Sequence, residues 1–146
     1  MWSTYANRQI YLDANIIIYA IEENHSWAQS TRSLLDAIDK KLLRAATSEL
    51  ALAEVLVRPL ALADDDLVRK YERLLASDSD VEMISVDRDV LLSAARLQGE
   101  LKLKLFDAIH VASARLAGCD YFLTQDERLG RALAGEPEWL QLSESM

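Results

Sequence analysis

The sequence predicts an α/β fold: a mostly parallel central sheet with helices on both of its faces. Three observations predict it. Short apolar stretches bounded by turn residues alternate with segments of helical periodicity along the whole chain. Strand–helix–strand order of this kind builds parallel sheets covered on both sides. The clearest unit, Ile10-Tyr11-Leu12-Asp13-Ala14-Asn15-Ile16-Ile17-Ile18-Tyr19, is an apolar strand that ends on an acid and turns at once into an apolar helix.

Taken in order, Gln9–Leu12 forms the first strand, with β-favouring Ile10 and Tyr11. Ala14–Ile21 is a short helix, and Glu22 to His25 a loop in which His25 is solvated. Ser26 suits the N-cap of a helix running to about Lys40, with Trp27, Thr31, Leu34, Leu35 and Ile38 on one side. Leu42–Ala46 is a short strand. Thr47 or Ser48 caps a helix from Glu49 to Val57, which Pro59 stops. Asp64-Asp65-Asp66 opens a helix to about Leu75, and Ser77–Asp80 is a polar loop. Val81–Val86 alternates like a strand. Asp87 caps the next helix and Gly99 ends it. Asp107–Ala117 is strongly periodic and closes at Gly118. Cys119–Leu123 reads as a buried strand, Asp126–Leu133 as a last helix, and Trp139–Leu142 as a final strand.

A chain of 146 residues fits one domain, 1–146, with a core of its own. Its 51% hydrophobic and 27% charged residues are ordinary for a soluble protein. The net charge of −8 argues against a broad basic surface for nucleic acid. It leaves room for a metal-dependent nuclease, because clustered carboxylates and the ions they bind make their own local field. The single cysteine, Cys119, excludes an internal disulfide and fits a reducing cytoplasm. No signal-peptide pattern opens the chain and no apolar run is long enough to span a membrane. A cytoplasmic location is the expectation.

Four acids carry the candidate chemistry. Asp13 follows the first strand, where it can cap a helix or face a ligand at the carboxyl end of the sheet. Glu54 has Leu50, Ala51, Val57 and Arg58 at helical spacing, so it turns partly toward the core and needs a partner or a metal; Arg58 is the plain partner. Asp107 opens a helix, with His110 one turn on. A histidine there is more often a hydrogen-bonded core residue than a ligand. Asp126 lies where Thr124 and Glu127 have capping-box spacing. Thr124, Gln125 and Asn15 stand beside these acids as possible supporting groups. βαβ topology brings strand–helix junctions to one edge of the sheet. Clustered carboxylates repel unless a cation intervenes, and an all-oxygen donor set suits Mg²⁺ or Mn²⁺. No phosphate-binding glycine loop, zinc spacing or nucleophile elbow is present. Cys119 reads as a small buried strand residue.

Tyr11-Leu12-Asp13-Ala14-Asn15, Thr47-Ser48 with Ala53-Glu54, Phe106-Asp107-Ala108-Ile109-His110-Val111-Ala112 and Phe122-Leu123-Thr124-Gln125-Asp126 together resemble the PIN-domain ribonucleases. The resemblance is strongest to the VapC-type toxins of toxin–antitoxin pairs and covers nearly the full length. It implies a PIN-like (Rossmann-like) three-layer sandwich. It implies a metal site of Asp13, Glu54, Asp107 and Asp126 that takes one or two Mg²⁺ or Mn²⁺ ions and hydrolyses RNA. It also implies a homodimer and a cognate antitoxin that covers the site. Phe106 stands where proline is common and Gln125 where asparagine is common; neither change removes a carboxylate. Asn15 and Thr124 are the substrate-orienting or supporting candidates, and Arg58, Lys102, Lys104 and Arg128 the candidate phosphate contacts. Two other readings compete. One is an α/β phosphohydrolase with Asp13 as nucleophile, which wants a second acid where Asn15 stands. The other is a non-catalytic binding module on the same fold.

Overall fold

The computed structural model describes residues 2–23 and 26–143. His25 lies outside them. Five strands, β1 (Gln9–Leu12), β2 (Arg44–Ser48), β3 (Val81–Ile84), β4 (Tyr121–Leu123) and β5 (Glu138–Leu140), form one sheet in the order β3-β2-β1-β4-β5. All four pairings are parallel. Seven helices surround it among the described residues: α1 (Ala14–Glu22), α2 (Ala28–Asp39), α3 (Glu49–Ala61), α4 (Asp65–Leu74), α5 (Arg88–Leu101), α6 (Leu105–Leu116) and α7 (Glu127–Ala132). None is long and apolar enough to cross a membrane.

Strand alternation divides the core into two. Ile10, Leu12, Ala45 and Leu123 face a cluster built with α1 to α4, including Ile16, Ile17, Leu34, Ile38, Val55 and Tyr71. Tyr11, Ala46 and Phe122 face the opposite way, onto Val90, Ala94 and Leu97 of α5, the apolar side of α6 and Leu129 of α7. Helices on both faces of a parallel sheet give the three-layer α/β sandwich. The strand order reverses between β1 and β4, and ligands of open parallel sheets bind at the carboxyl ends of the strands at such a reversal.

Several boundaries differ from expectation for identifiable reasons. Strand β2 begins at Arg44, because Leu42 bonds back to the Ala37 carbonyl. It runs on through polar Thr47 and Ser48, with the Thr47 hydroxyl donating to the Leu12 carbonyl at 2.8 Å. Strand β3 stops at Ile84, opposite the end of β2. Strand β4 starts at Tyr121, since Cys119 N–H still bonds to the Ala114 carbonyl of α6. Strand β5 ends at Leu140, where its pairing with β4 runs out. Beyond it, the Gln125 side chain accepts from Leu142 N–H at 2.6 Å.

Trp27, rather than Ser26, holds the N-cap position of α2; the Thr31 amide and hydroxyl both bond to its carbonyl. Pro59 does not stop α3 but sits buried inside its last turn. Helix α3 ends instead in a Schellman arrangement, with Asp64 N–H on the Pro59 carbonyl, Ala63 N–H on the Leu60 carbonyl, and Ala63 at φ 53. Gly99 likewise lies inside α5, which continues until Lys102 takes the left-handed conformation. Lys104, not Asp107, is at the N-cap of α6, so Asp107 falls in its first turn.

Gly130 has the opposite constraint from Gly99. A Cβ on Gly130 would lie 2.1 Å from the Trp139 ring, whereas one on Gly99 meets nothing within 4 Å. Trp139 uses that close seat on α7 to donate its indole N–H to the Thr124 carbonyl at 3.0 Å. Gly130→Ala should therefore destabilise the fold by about 1–3 kcal/mol through overpacking. Gly99→Ala should stabilise it by roughly 0.5–1 kcal/mol through the helix preference of alanine. Urea unfolding of the two variants checks the pair, and equal effects would contradict it.

Candidate metal centre at the β1–β4 switch point

Asp13 follows β1 at the N-cap position of α1, and its backbone carbonyl accepts from Ile16 N–H. Its side chain makes no capping bond to the helix. The carboxylate is instead buried, at 9% exposure, and accepts from the Thr124 hydroxyl at 2.6 Å. This is possible because β1 and β4 are hydrogen-bonded neighbours with Leu12 opposite Leu123, one residue before each group.

Thr124 is fully buried and works in both directions. While its hydroxyl donates to Asp13, the same oxygen accepts from Asp126 N–H at 3.1 Å. Asp126 is the N-cap of α7, accepting from Leu129 N–H at 3.2 Å. The expected capping box between Thr124 and Glu127 is thus replaced by a hydroxyl that ties Asp13 to the loop carrying Asp126. Gln125 faces away, bonded to the Leu142 backbone.

Asp107 is half-buried in the first turn of α6. Arg128 approaches its carboxylate at 3.9 Å. Glu54 lies on α3, whose N-terminus Ser48 caps by accepting from Leu50 N–H at 3.0 Å. Its expected partner Arg58 pairs elsewhere, with Glu22 at 3.7 Å. Glu54 Oε1 instead meets His110 Nε2 at 2.5 Å, and His110 Nδ1 meets the Tyr11 hydroxyl at 2.5 Å. His110 is a buried, fully hydrogen-bonded residue, as the sequence favours, and it touches a candidate acid. Asn15 stands exposed in the first turn of α1. Lys102 and Lys104 are exposed in the segment between α5 and α6.

Burial pushes the Asp13 carboxyl above its ordinary range, and Glu54 adds to the rise. The Thr124 hydroxyl, His110 and the Ala14 amide oppose it. Asp107 is pushed up first by burial and then by the negative charges of Asp13 and Asp126, against His110 and Arg128. Asp107 thus lies within electrostatic reach of Asp13 and Asp126, and Asp13 within reach of Glu54. Burial also pushes the Cys119 thiol up to about 12, which removes the thiolate a nucleophile needs.

The donor set suits a hard divalent cation in kind, because Asp13, Glu54, Asp107 and Asp126 offer carboxylate oxygens. Among the described residues, no three acids, histidines or cysteines already converge on one point as a closed cage. The acids share a position and a field at the switch point rather than a preformed coordination sphere.

Fold and position together define an α/β protein with a buried aspartate, Asp13, at the topological switch of a parallel sheet. The sequence matches the PIN domain over residues 10–133, and the chain belongs to that family. Similar solved structures include VapBC2 from Rickettsia felis bound to a promoter DNA fragment, at 17% identity and a TM-score of 0.70, covering 92% of this chain and 99% of that one. DNA-bound VapBC from Salmonella typhimurium is similar at 16% identity and a TM-score of 0.69, covering 92% and 98%. VapBC-5 of Mycobacterium tuberculosis, from a toxin–antitoxin family, is similar at 26% identity and a TM-score of 0.56, covering 92% and 97%. No curated protein matches the chain.

Tyr11 belongs to this site through His110, although its place in an apolar strand did not mark it as a site residue. The only signal was a hydroxyl-bearing side chain in the middle of an otherwise apolar strand.

Thr124→Val keeps the shape but deletes both hydrogen bonds, leaving the Asp13 carboxylate and the Asp126 amide short of a partner. It should cost about 1–3 kcal/mol, while Thr124→Ser stays close to wild type. Chemical unfolding measures this, and a valine variant as stable as wild type would refute the bridging role.

Proposed function

We propose that this protein is a Mg²⁺- or Mn²⁺-dependent endoribonuclease and the toxin of a toxin–antitoxin pair. The observation that carries this reading is the buried Asp13 carboxylate held by Thr124 at the β1–β4 switch point, with Asp107 close enough to feel the charges of Asp13 and Asp126. A buried carboxylate with other acids in electrostatic reach is kept at a cost unless a cation joins them. Membership of the PIN domain family supports nuclease chemistry. Similar structures of toxin–antitoxin complexes support an antitoxin partner.

Asp13 and Asp107 are the direct ligands. Glu54 and Asp126 would complete the site directly or through water, and would hold a second ion if one binds. A bound ion supplies charge neutralisation at the scissile phosphate and an acidified water. Thr124 fixes one Asp13 oxygen, so the other is oriented. Arg128, beside Asp107, contacts substrate phosphate, with Lys102 and Lys104 as further cations near the start of α6. Asn15, exposed next to Asp13, orients substrate. With a net charge of −8, RNA is gripped at these few points rather than over a broad basic face. A single-stranded or looped target fits that best. The working form is a cytoplasmic homodimer inhibited by its antitoxin.

Asp13→Asn and Asp107→Asn should each lower RNA cleavage by orders of magnitude while the fold survives. Unchanged cleavage in both would sink the assignment. Stability adds a signed test. The Asp107 pKa is raised above its ordinary 3.8 in the folded protein, so ionisation opposes folding as pH rises through the folded value. Without divalent metal, Asp107→Asn should therefore melt a few degrees higher than wild type at pH 7. The difference should vanish below about pH 4, where the acid is protonated in both states. Saturating Mn²⁺ should raise the wild-type melting temperature and leave the variant nearly unmoved. A variant that melts lower in metal-free buffer at pH 7 would contradict the repulsion.

A further inference from the structure

Glu54 is held by a hydrogen-bonded chain rather than by a simple ion pair. Tyr11 of β1, His110 of α6 and Glu54 of α3 are joined in series, at 2.5 Å for each link. The chain crosses three elements and is buried at its first two members, with Tyr11 at 0% and His110 at 1% exposure. Its direction follows from valence. An ionised carboxylate only accepts, so His110 Nε2 must carry the hydrogen in that link. In a neutral ring Nδ1 is then the acceptor, and the Tyr11 O–H donates to it. The Thr47 side chain and the Ser48 amide also lie against the Tyr11 oxygen.

We propose that His110 is a positioning residue: its Nε2–H, aimed by the Tyr11 hydroxyl, holds one oxygen of Glu54 and keeps the carboxylate turned toward Asp13. The inference rests on the metal-centre reading above. The geometry leaves few alternatives for the ring. Its Tyr11 neighbour packs edge-on at a centroid distance of 5.7 Å and stacks in turn on Phe122 at 4.8 Å, so the imidazole is wedged against a fixed aromatic wall. Glu54 would otherwise be a long side chain on a helix, free to rotate into solvent with its 25% exposed surface. A hydrogen-bond partner on the far side of a ligating group orients it and typically changes metal affinity 10–100-fold when removed.

The test is a Mn²⁺ titration by calorimetry on metal-free full-length protein, comparing wild type with His110→Leu, His110→Gln, Tyr11→Phe, Glu54→Gln and the double variant His110→Leu/Glu54→Gln. His110→Leu should weaken Mn²⁺ binding about tenfold. His110→Gln, which keeps a donor at the Nε2 position, should recover most of that loss. Tyr11→Phe should weaken binding to a smaller degree. In the Glu54→Gln background the leucine change should cost nothing more, because the two residues act as one unit. ¹H–¹⁵N spectra of metal-free wild type should show a His110 Nε2–H protected from exchange.

The inference is overturned if His110→Leu costs as much without Glu54 as with it, or if the protected Nε2–H is absent. It is also overturned if Glu54→Gln leaves Mn²⁺ affinity unchanged while Asp13→Asn abolishes it. If Asp13→Asn leaves affinity unchanged as well, the metal centre itself is wrong and this inference falls with it. Should His110→Leu not fold, His110→Gln and Tyr11→Phe in the two Glu54 backgrounds decide the question alone.

Discussion

The parallel pairing of β1 with β4 is the constraint on which the site depends. It sets Leu12 opposite Leu123, so the residues that follow, Asp13 and Thr124, meet at one point on the sheet edge. Thr124 then does what neither acid can do alone. It donates to Asp13 and accepts from Asp126 N–H, which fixes two acids from chain segments more than a hundred residues apart. Trp139, seated on Gly130, holds the Thr124 carbonyl from behind. A slip of one residue in this pairing would turn the apolar side chains of β1 to the wrong faces and separate the two groups.

The second arm of the site comes from the other side of β1. Thr47 ties the end of β2 to Leu12, Ser48 starts α3, and α3 delivers Glu54 to His110 of α6. Tyr11 faces the opposite core from its neighbours Ile10 and Leu12, and that alternation places its hydroxyl at the α6 side. A single four-residue strand therefore organises both arms: its last side chain packs before Asp13, and the one before it reaches His110.

Much of the fold was legible in the sequence, because apolar strands and periodic helices alternate clearly and caps such as Ser48, Asp64 and Asp87 were in place. The misplacements share a cause, which is that tertiary contacts override local punctuation. Pro59 lies buried in the last turn of α3, which runs on past it to Ala61. Gly99 is carried through by a helix whose Leu101 still packs against the core. Strand ends moved because each strand extends only as far as its neighbour can pair. At the site, Asp13 and Asp126 do stand at strand–helix junctions, whereas Asp107 lies in the first turn of α6 after a helix–helix connection, a placement that no strand end in the sequence marks. The partner of Glu54 is not marked either. Arg58 is near in sequence at i+4, whereas His110 is brought in by the packing of α6 on the sheet, and no local spacing encodes that meeting.

Every role assigned to these acids depends on a divalent ion sitting among them. Crystals grown without metal and soaked in Mn²⁺ give the most direct measurement, through the anomalous signal of the ion. The account predicts an anomalous peak at about 2.0–2.3 Å from the carboxylate oxygens of Asp13 and Asp107, the range usual for oxygen ligands of small divalent cations, with Glu54 and Asp126 around it directly or through water. A soaked crystal in which Mn²⁺ binds only elsewhere on the surface, with Asp13 still facing Thr124 and no ion beside it, would contradict the account.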